Sequence, residues 1–241
     1  MKKILLLVFY VVCFYGFSQE SAPIVTDRPT QSAAASTVGK NNLLIETGFI
    51  FENTDRYQNY INANSLFRYG VGSKVEIRLT ANYDRIGGDD YTVSTIGSTN
   101  IGTKVFIVDS DKAFADISVI GQLNLPTGKE NDQASGEIRF NFANQLSEKF
   151  SLGYNIGVLA SPDRESELSP FYTLVLGASI ANGLSVFAEP YGYLSEIQDH
   201  RFNTGIIYLA KENMQFDLTG GIGLTRISPD YFIGFGAAIG F

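Results

Sequence analysis

The final eleven residues, Tyr231-Phe-Ile-Gly-Phe-Gly-Ala-Ala-Ile-Gly-Phe241, divide into two unequal faces. Tyr231, Ile233, Phe235, Ala237, Ile239 and Phe241 fall on one side of an extended strand, and Phe232, Gly234, Gly236, Ala238 and Gly240 on the other. Period-two alternation marks a strand, and both faces here lack polar groups. A soluble sandwich puts polar side chains on its outer face. The bulky face instead suits hydrocarbon, and the small face suits the crowded interior of a closed sheet. The expected fold is an all-β transmembrane antiparallel barrel closed by its last strand.

The opposite end agrees with export. Met1-Lys2-Lys3 is a positive n-region, Ile4 to Phe17 is apolar, and Gly16 and Ser18 precede a plausible cut around Ser18 to Glu20. Such a stretch is too short and wrongly flanked for a spanning helix and reads as a signal peptide over residues 1–19. Cys13, the single cysteine, would leave with it, and Tyr10-Val11-Val12 lacks the small residue expected before a lipoprotein cysteine. The mature chain then has no disulfide, thiol nucleophile or thiolate metal site. Loss of Lys2 and Lys3 takes the formal charge from −7 to −9, a poor balance for nucleic-acid binding.

Residues 20–42 have no strong periodicity and read equally as an extended linker or as a small plug entering the barrel mouth. Residues 43–241 form the expected barrel. In its clearest segment Val75, Ile77, Leu79, Ala81 and Tyr83 alternate with Lys74, Glu76, Arg78, Thr80 and Asn82. One face must be wet and the other greasy. Twelve segments of this kind are predicted, an even number as single-chain bacterial barrels require. The weakest are 99–108, where polarity blurs the pattern, and 184–194, where Pro190 removes a ladder donor. Short connections such as Gly70 to Ser73 and Leu146 to Lys149 alternate with long ones such as Asp84 to Ser98 and Ser161 to Pro170. Tight turns at one rim, expected to be periplasmic, and larger loops at the other are a barrel's habit.

The expected lumen carries Glu46, Asn62, Arg68, Lys74, Glu76, Arg78, Glu137, Arg139, Asn141, Glu189, Arg201 and Asp217. Mixed charges in a narrow interior must pair or stay hydrated. They fit either a polar constriction that selects a solute or an ion-pair network that leaves no open path, and strand number does not decide between these.

Three competing chemistries have thin support. His200, the lone histidine, has Ser195, Glu196 and Asp199 nearby, but geometry rather than sequence order defines a triad. Asp84, Asp89, Asp90, Glu130 and Asp132 in external loops could hold a divalent cation or bridge lipopolysaccharide, although solvated loop charges explain them as well. Leu125-Pro-Thr-Gly-Lys129 lacks the spacing and the following helix of a phosphate loop. The Asp84–Ser98 connection is long enough for a docking surface or an inward-folding lid.

Three groups of residues carry a family resemblance: Thr26-Asp27-Arg28-Pro29 with Leu44-Ile45-Glu46-Thr47-Gly48; Leu123-Asn124-Leu125-Pro126-Thr127-Gly128; and Phe187-Ala188-Glu189 with Gln215-Phe216-Asp217-Leu218 and Thr219-Gly-Gly-Ile-Gly223. From about residue 24 to its end the chain resembles a family of Gram-negative outer-membrane transporters labelled phenol-degradation meta-pathway proteins. The Phe17-Ser18-Gln19 end of the leader is similar to exported proteins of the Bacteroidetes. The resemblance implies an outer-membrane barrel that passes small molecules, without fixing a phenolic substrate. The reading of the whole sequence is a monomeric, cofactor-free, non-enzymatic barrel for passive movement of small, hydrophobic or aromatic molecules. Its implied partners are outer-membrane lipid, lipopolysaccharide and the barrel-assembly machinery; a non-transporting structural or surface-binding barrel is the alternative. Carried over by position, Asp27, Arg28, Glu46, Glu189 and Asp217 are the family's recurrent polar residues, and Asp27 and Arg28 are expected to tie the amino-terminal segment to lumen charges.

Overall fold

Alternation of apolar and polar side chains drives each segment into a strand, and closure removes the unpaired edges that lipid cannot satisfy. The computed structural model describes residues 23–54, 59–88, 91–127, 133–162, 168–195 and 198–241. The expected signal peptide lies outside them. Twelve strands follow in order: β1 (Leu43–Asn53), β2 (Asn59–Gly70), β3 (Val75–Gly87), β4 (Thr92–Val108), β5 (Asp116–Leu125), β6 (Ser135–Gln145), β7 (Phe150–Ala160), β8 (Leu168–Ala181), β9 (Leu184–Tyr193), β10 (His200–Lys211), β11 (Met214–Gly223) and β12 (Tyr231–Gly240). Each pairs antiparallel with its sequence neighbours, and β12 closes the barrel on β1. That closing register sets Gly48 opposite Gly236 and Phe49 opposite Phe235, whose rings stack at 5.2 Å.

The exposed apolar side chains make an outward belt. Leu79, Ile101, Leu123, Ile138, Ile156, Leu218 and Ile233 all point out, and Phe235 is 58% exposed. An apolar surface on strand after strand is far larger than a soluble monomer tolerates. No described helix is long and apolar enough to cross a membrane; the strands cross it. Inward positions instead bury Glu46, Arg68, Glu76, Lys104 and Glu189 completely.

The structure corrects the predicted Asp84–Ser98 loop. β3 continues to Gly87 and β4 begins at Thr92, with Asp84 opposite Thr95. Asp89 and Asp90, at the tip, lie outside the described residues. Two causes hid the longer hairpin. A register shift between Ala81 and Tyr83 moves the outward positions of β4 from odd numbers, such as Ile101, to even ones, such as Ile96. Asp84, Arg85, Ser94 and Thr95 also make that end of the hairpin polar. The suspicion about Pro190 has a counterpart: β9 pairs with β8 at Tyr191 and again at Ala188, and the ladder skips the two positions between.

Candidate functional site

Irregular backbone inside a barrel must find hydrogen bonds without a neighbouring strand. Residues 23–42 face this problem, because both ends of the segment are pinned at the tight-turn rim. The Ile24 amide donates to the carbonyl of Glu212 in the β10–β11 turn (2.8 Å), and the Asn41 amide donates to that of Gly70 at the end of β2 (2.8 Å). The residues between rise into the lumen and return.

Wall side chains take the place of a partner strand. Glu46 accepts from the amides of Asp27 and Arg28, both at 2.9 Å. Glu189 accepts from Gln31 (2.9 Å) and Ser32 (2.8 Å), and Glu76 from Val38 (2.9 Å). Asn155 accepts from the Ala33 amide at 2.7 Å and donates to its carbonyl at 3.1 Å, much as a strand neighbour does. Ionised carboxylates make the stronger of these bonds.

Beneath this frame lies an ion cluster. Asp27 meets Arg78 at 2.6 Å and Lys104 at 3.4 Å; Arg68 bridges Glu46 at 3.0 Å and Glu76 at 2.9 Å; Arg78 also reaches Glu76 at 2.8 Å. Three carboxylates therefore face three cations. Burial alone pushes the Asp27 carboxyl up, but Arg68, Lys104 and Arg78 together hold it well below the usual aspartate range. A second lock stands apart. The Arg28 guanidinium pairs with Asp217 at 3.0 Å and lies in a notch between Gly48 and Gly236, where an added Cβ would collide with it.

Arg139 closes the arrangement from above. It donates to the Gln31 carbonyl (2.9 Å), pairs with Glu137 (2.8 Å) and covers the Phe171 ring at 4.8 Å. Asp27, Arg28, Glu46, Arg68, Arg78, Arg139, Glu189 and Asp217 thus all touch or belong to the inner segment, and Glu137 reaches it through Arg139. Arg201 sits elsewhere, between Glu52 (2.7 Å) and Asp199 (2.8 Å) toward the long-loop rim. There Arg201 and Ser228 hold the Asp199 carboxyl low against the opposing effect of burial. Asn62 donates to Asp84, Asn141 to Ser118, and Lys74 lies exposed over the Phe106 ring.

Sequence reasoning missed Lys104, a fully buried partner of Asp27. Its signal was one cation between the outward residues Thr103 and Val105, in the segment where polar residues blur the pattern.

Above the segment the lumen opens. A cavity of about 400 Å³ is lined on one wall by Asp84, Asn100, Gln122, Asn124 and Glu137, with Leu159 and Tyr193 also on its boundary. It adjoins a smaller space of about 160 Å³ that shares Asn100, Gln122 and Glu137 and reaches Asp27, Gln31 and Ala33 of the segment.

The competing chemistries fare differently. Asp199 bonds Arg201 and Ser228, whereas the His200 ring meets the Tyr172 hydroxyl at 3.3 Å. Glu196 of the drawn triad lies outside the described residues. Asp84 is corrected from an external-loop carboxylate to an inward strand residue bonded by Tyr60 (2.6 Å) and Asn62 (2.8 Å). Asp89, Asp90, Glu130 and Asp132 lie outside the described residues, and among the described ones no group of three potential ligands could hold a metal.

The family described as "Putative MetA-pathway of phenol degradation" matches residues 26–241. The chain belongs to that family. The matched span begins at Thr26, so it takes in most of the inner segment as well as the whole barrel of this phenol-degradation family member. Sequence comparison with curated proteins finds no relative. Among solved structures, an outer membrane channel from Pseudomonas putida F1 is similar with a TM-score of 0.66 at 10% identity, covering 88% of this chain and 100% of that one. The NanC porin gives 0.60 at 7% identity, covering 82% and 98%, and the KdgM porin 0.59 at 8%, covering 82% and 99%. At these identities the likeness is one of fold.

Proposed function

We propose that this chain is an outer-membrane channel through which small molecules move passively, and that residues 20–42 form its internal plug. The carrying observation is the division of the lumen: a largely polar-lined cavity toward the long-loop rim meets a segment pinned at the opposite rim. Residues 1–19 serve as the signal peptide. The outward belt meets lipid and lipopolysaccharide after insertion by the barrel-assembly machinery, and the barrel works as a monomer. Passage needs no cofactor and no covalent step, only weak sites that release what they bind. The family description and the printed names of the similar structures, a channel and two porins, support this reading.

For the solute, the two walls argue differently. Tyr193 and Leu159 on the cavity boundary favour an aromatic or hydrophobic molecule. The opposite wall of amides and carboxylates favours a polar one.

Deletion of residues 21–40, with circular dichroism to verify the barrel, tests the reading. Single-channel conductance in planar bilayers should rise several-fold, and liposomes should swell faster in small solutes. Conductance equal to that of the intact chain would remove the plug. A sealed barrel before and after deletion would replace the channel with a structural or surface-binding barrel.

A further inference from the structure

The polar wall of the upper cavity is a row of amides in register, with the carboxylates Asp84 and Glu137 at its sides. Asn100 of β4 lies opposite Asn124 of β5, and Gln122 opposite Glu137 of β6. Side chains at consecutive inward positions interact: Gln122 donates to Asn124 and to Glu137, both at 3.4 Å, and Asn124 donates to Ser135 at 3.0 Å. The two longest of these contacts are weak and readily exchanged for a ligand's hydrogen bonds.

We propose that this cavity is a binding site for an uncharged, hydroxyl-rich solute of one or two sugar rings; the assignment rests on the lumen being a solute path. Its volume of about 400 Å³ lies in the lower part of the range typical of ligand clefts. An amide both donates and accepts, and so does a hydroxyl, so a row of amides matches a row of hydroxyls whichever way each proton points. Asp84 and Glu137 add acceptors, because a carboxylate has about four lone-pair sites and neither is saturated by the bonds described above. Tyr193 and Leu159 give the apolar faces of a sugar ring somewhere to rest.

Other solute classes fit less well. Among the described residues an anion finds no unpaired guanidinium on this cavity: Arg139 is committed to Glu137 and the Gln31 carbonyl, and Arg78, which lines the smaller space below, is paired with Asp27 and Glu76 and keeps only its Nε without a partner. It also meets the Asp84 carboxylate beside the cavity. A purely aromatic solute would displace water from Asn100, Gln122 and Asn124 and give nothing in return, leaving polar groups unanswered. A cation has Asp84 and Glu137 to attract it, but Asp84 is already bonded by Tyr60 and Asn62 and Glu137 is paired with Arg139, so neither is a strong counterion.

Calorimetric titration of the full mature barrel in detergent tests the site with four probes: maltose, glucosamine, glucuronate and phenol. Maltose should bind in the millimolar range, at least tenfold more tightly than glucuronate or phenol and no more weakly than glucosamine. The Asn100→Leu/Gln122→Leu pair should weaken maltose at least tenfold. Gln122→Glu, which keeps the side chain's shape, should weaken maltose and strengthen glucosamine, and it serves if the double variant does not fold. Tighter binding of any charged or aromatic probe, or maltose affinity untouched by these variants, would overturn the assignment. Liposome swelling separates the two claims. Flux without maltose binding removes the site and keeps the channel; binding without flux keeps the site and removes the channel.

Discussion

The two halves of this lumen are polar for different reasons. Toward the tight turns, Asp27, Glu46 and Glu76 face Arg68, Arg78 and Lys104, and the protein supplies both signs. Toward the long loops, Asn100, Gln122 and Asn124 line an open cavity beside Asp84 and Glu137, and the bonds of Gln122 to Asn124 and Glu137 are long, at 3.4 Å. Buried ions are tolerable only when paired, so a charged half must be a finished, filled structure. Neutral amides cost far less than ions to leave without a protein partner, so an amide half can stay open. Charge thus marks where the barrel binds itself, and amides mark where it is free to bind something else.

The strongest way to break that comparison is Arg68→Met. Arg68 is fully buried and is the shared partner of Glu46 and Glu76. Its loss takes the paired cation from the buried Glu46 and leaves Glu76 with Arg78 and Lys104, a change that costs on the order of 3–5 kcal/mol where a buried pair loses one member. Urea unfolding of the barrel in lipid vesicles should show it. Asn124→Leu in the open half should change stability by no more than about 1 kcal/mol. Equal effects would mean that the lower cluster is as hydrated as the upper wall.

A pH titration sharpens the comparison with a smaller effect, of about 1.5–3 kcal/mol for hydrogen bonds to charged groups. Asp27 lies on the inner segment and faces Arg68 from β2, Arg78 from β3 and Lys104 from β4, with Glu46 and Glu76 in the same cluster. Its carboxyl is held below the range of a free aspartate. The docking energy it contributes is therefore present in full above that range and is lost only as pH falls through the depressed value. Protease protection of residues 23–42, compared between wild type and Asp27→Asn, should differ by a constant amount from pH 8 to pH 5 and converge only at lower pH. Convergence between pH 7 and pH 5 would show a carboxylate that the cations do not hold.

The barrel was legible in the sequence because alternation is local: β3 and β12 each display both faces within a dozen residues. The inward charges were legible for the same reason, Arg68, Arg78 and Glu189 each standing between outward apolar neighbours. The lock was not. Arg28 and Asp217 are 189 positions apart, and no period connects them. The amides of Asp27, Arg28, Gln31 and Ser32 carry no side-chain signal at all, although they are what Glu46 and Glu189 bind. Lys104 was hidden by the polar residues that blur the alternation of 99–108, and the β3–β4 hairpin was misread as a loop because it shifts register and turns polar at its end. Sequence periodicity reports which face a residue takes; it does not report what chain will lie against that face.

The glycines of the last strand show the same limit and give the finest test. Their small face suits a crowded interior, yet at Gly236 what crowds it is the guanidinium of Arg28, shared with Gly48 across the β1–β12 seam. A methyl group at either position would meet the far end of a flexible side chain rather than backbone, so Arg28 can swing away at modest cost. Gly236→Ala should therefore leave barrel stability within about 0.5 kcal/mol of wild type, as for a substitution away from the core's critical features. It should lengthen or break the 3.0 Å pairing with Asp217 and so raise the frequency of open-channel events in single-channel records. Arg28→Ala should produce the same records without touching a wall residue. If Gly236→Ala destabilises the barrel as strongly as Arg68→Met, the glycine serves the β1–β12 seam itself. If both variants gate like wild type, the Arg28–Asp217 lock is not what keeps the segment in place, and the ion cluster around Asp27 holds it alone.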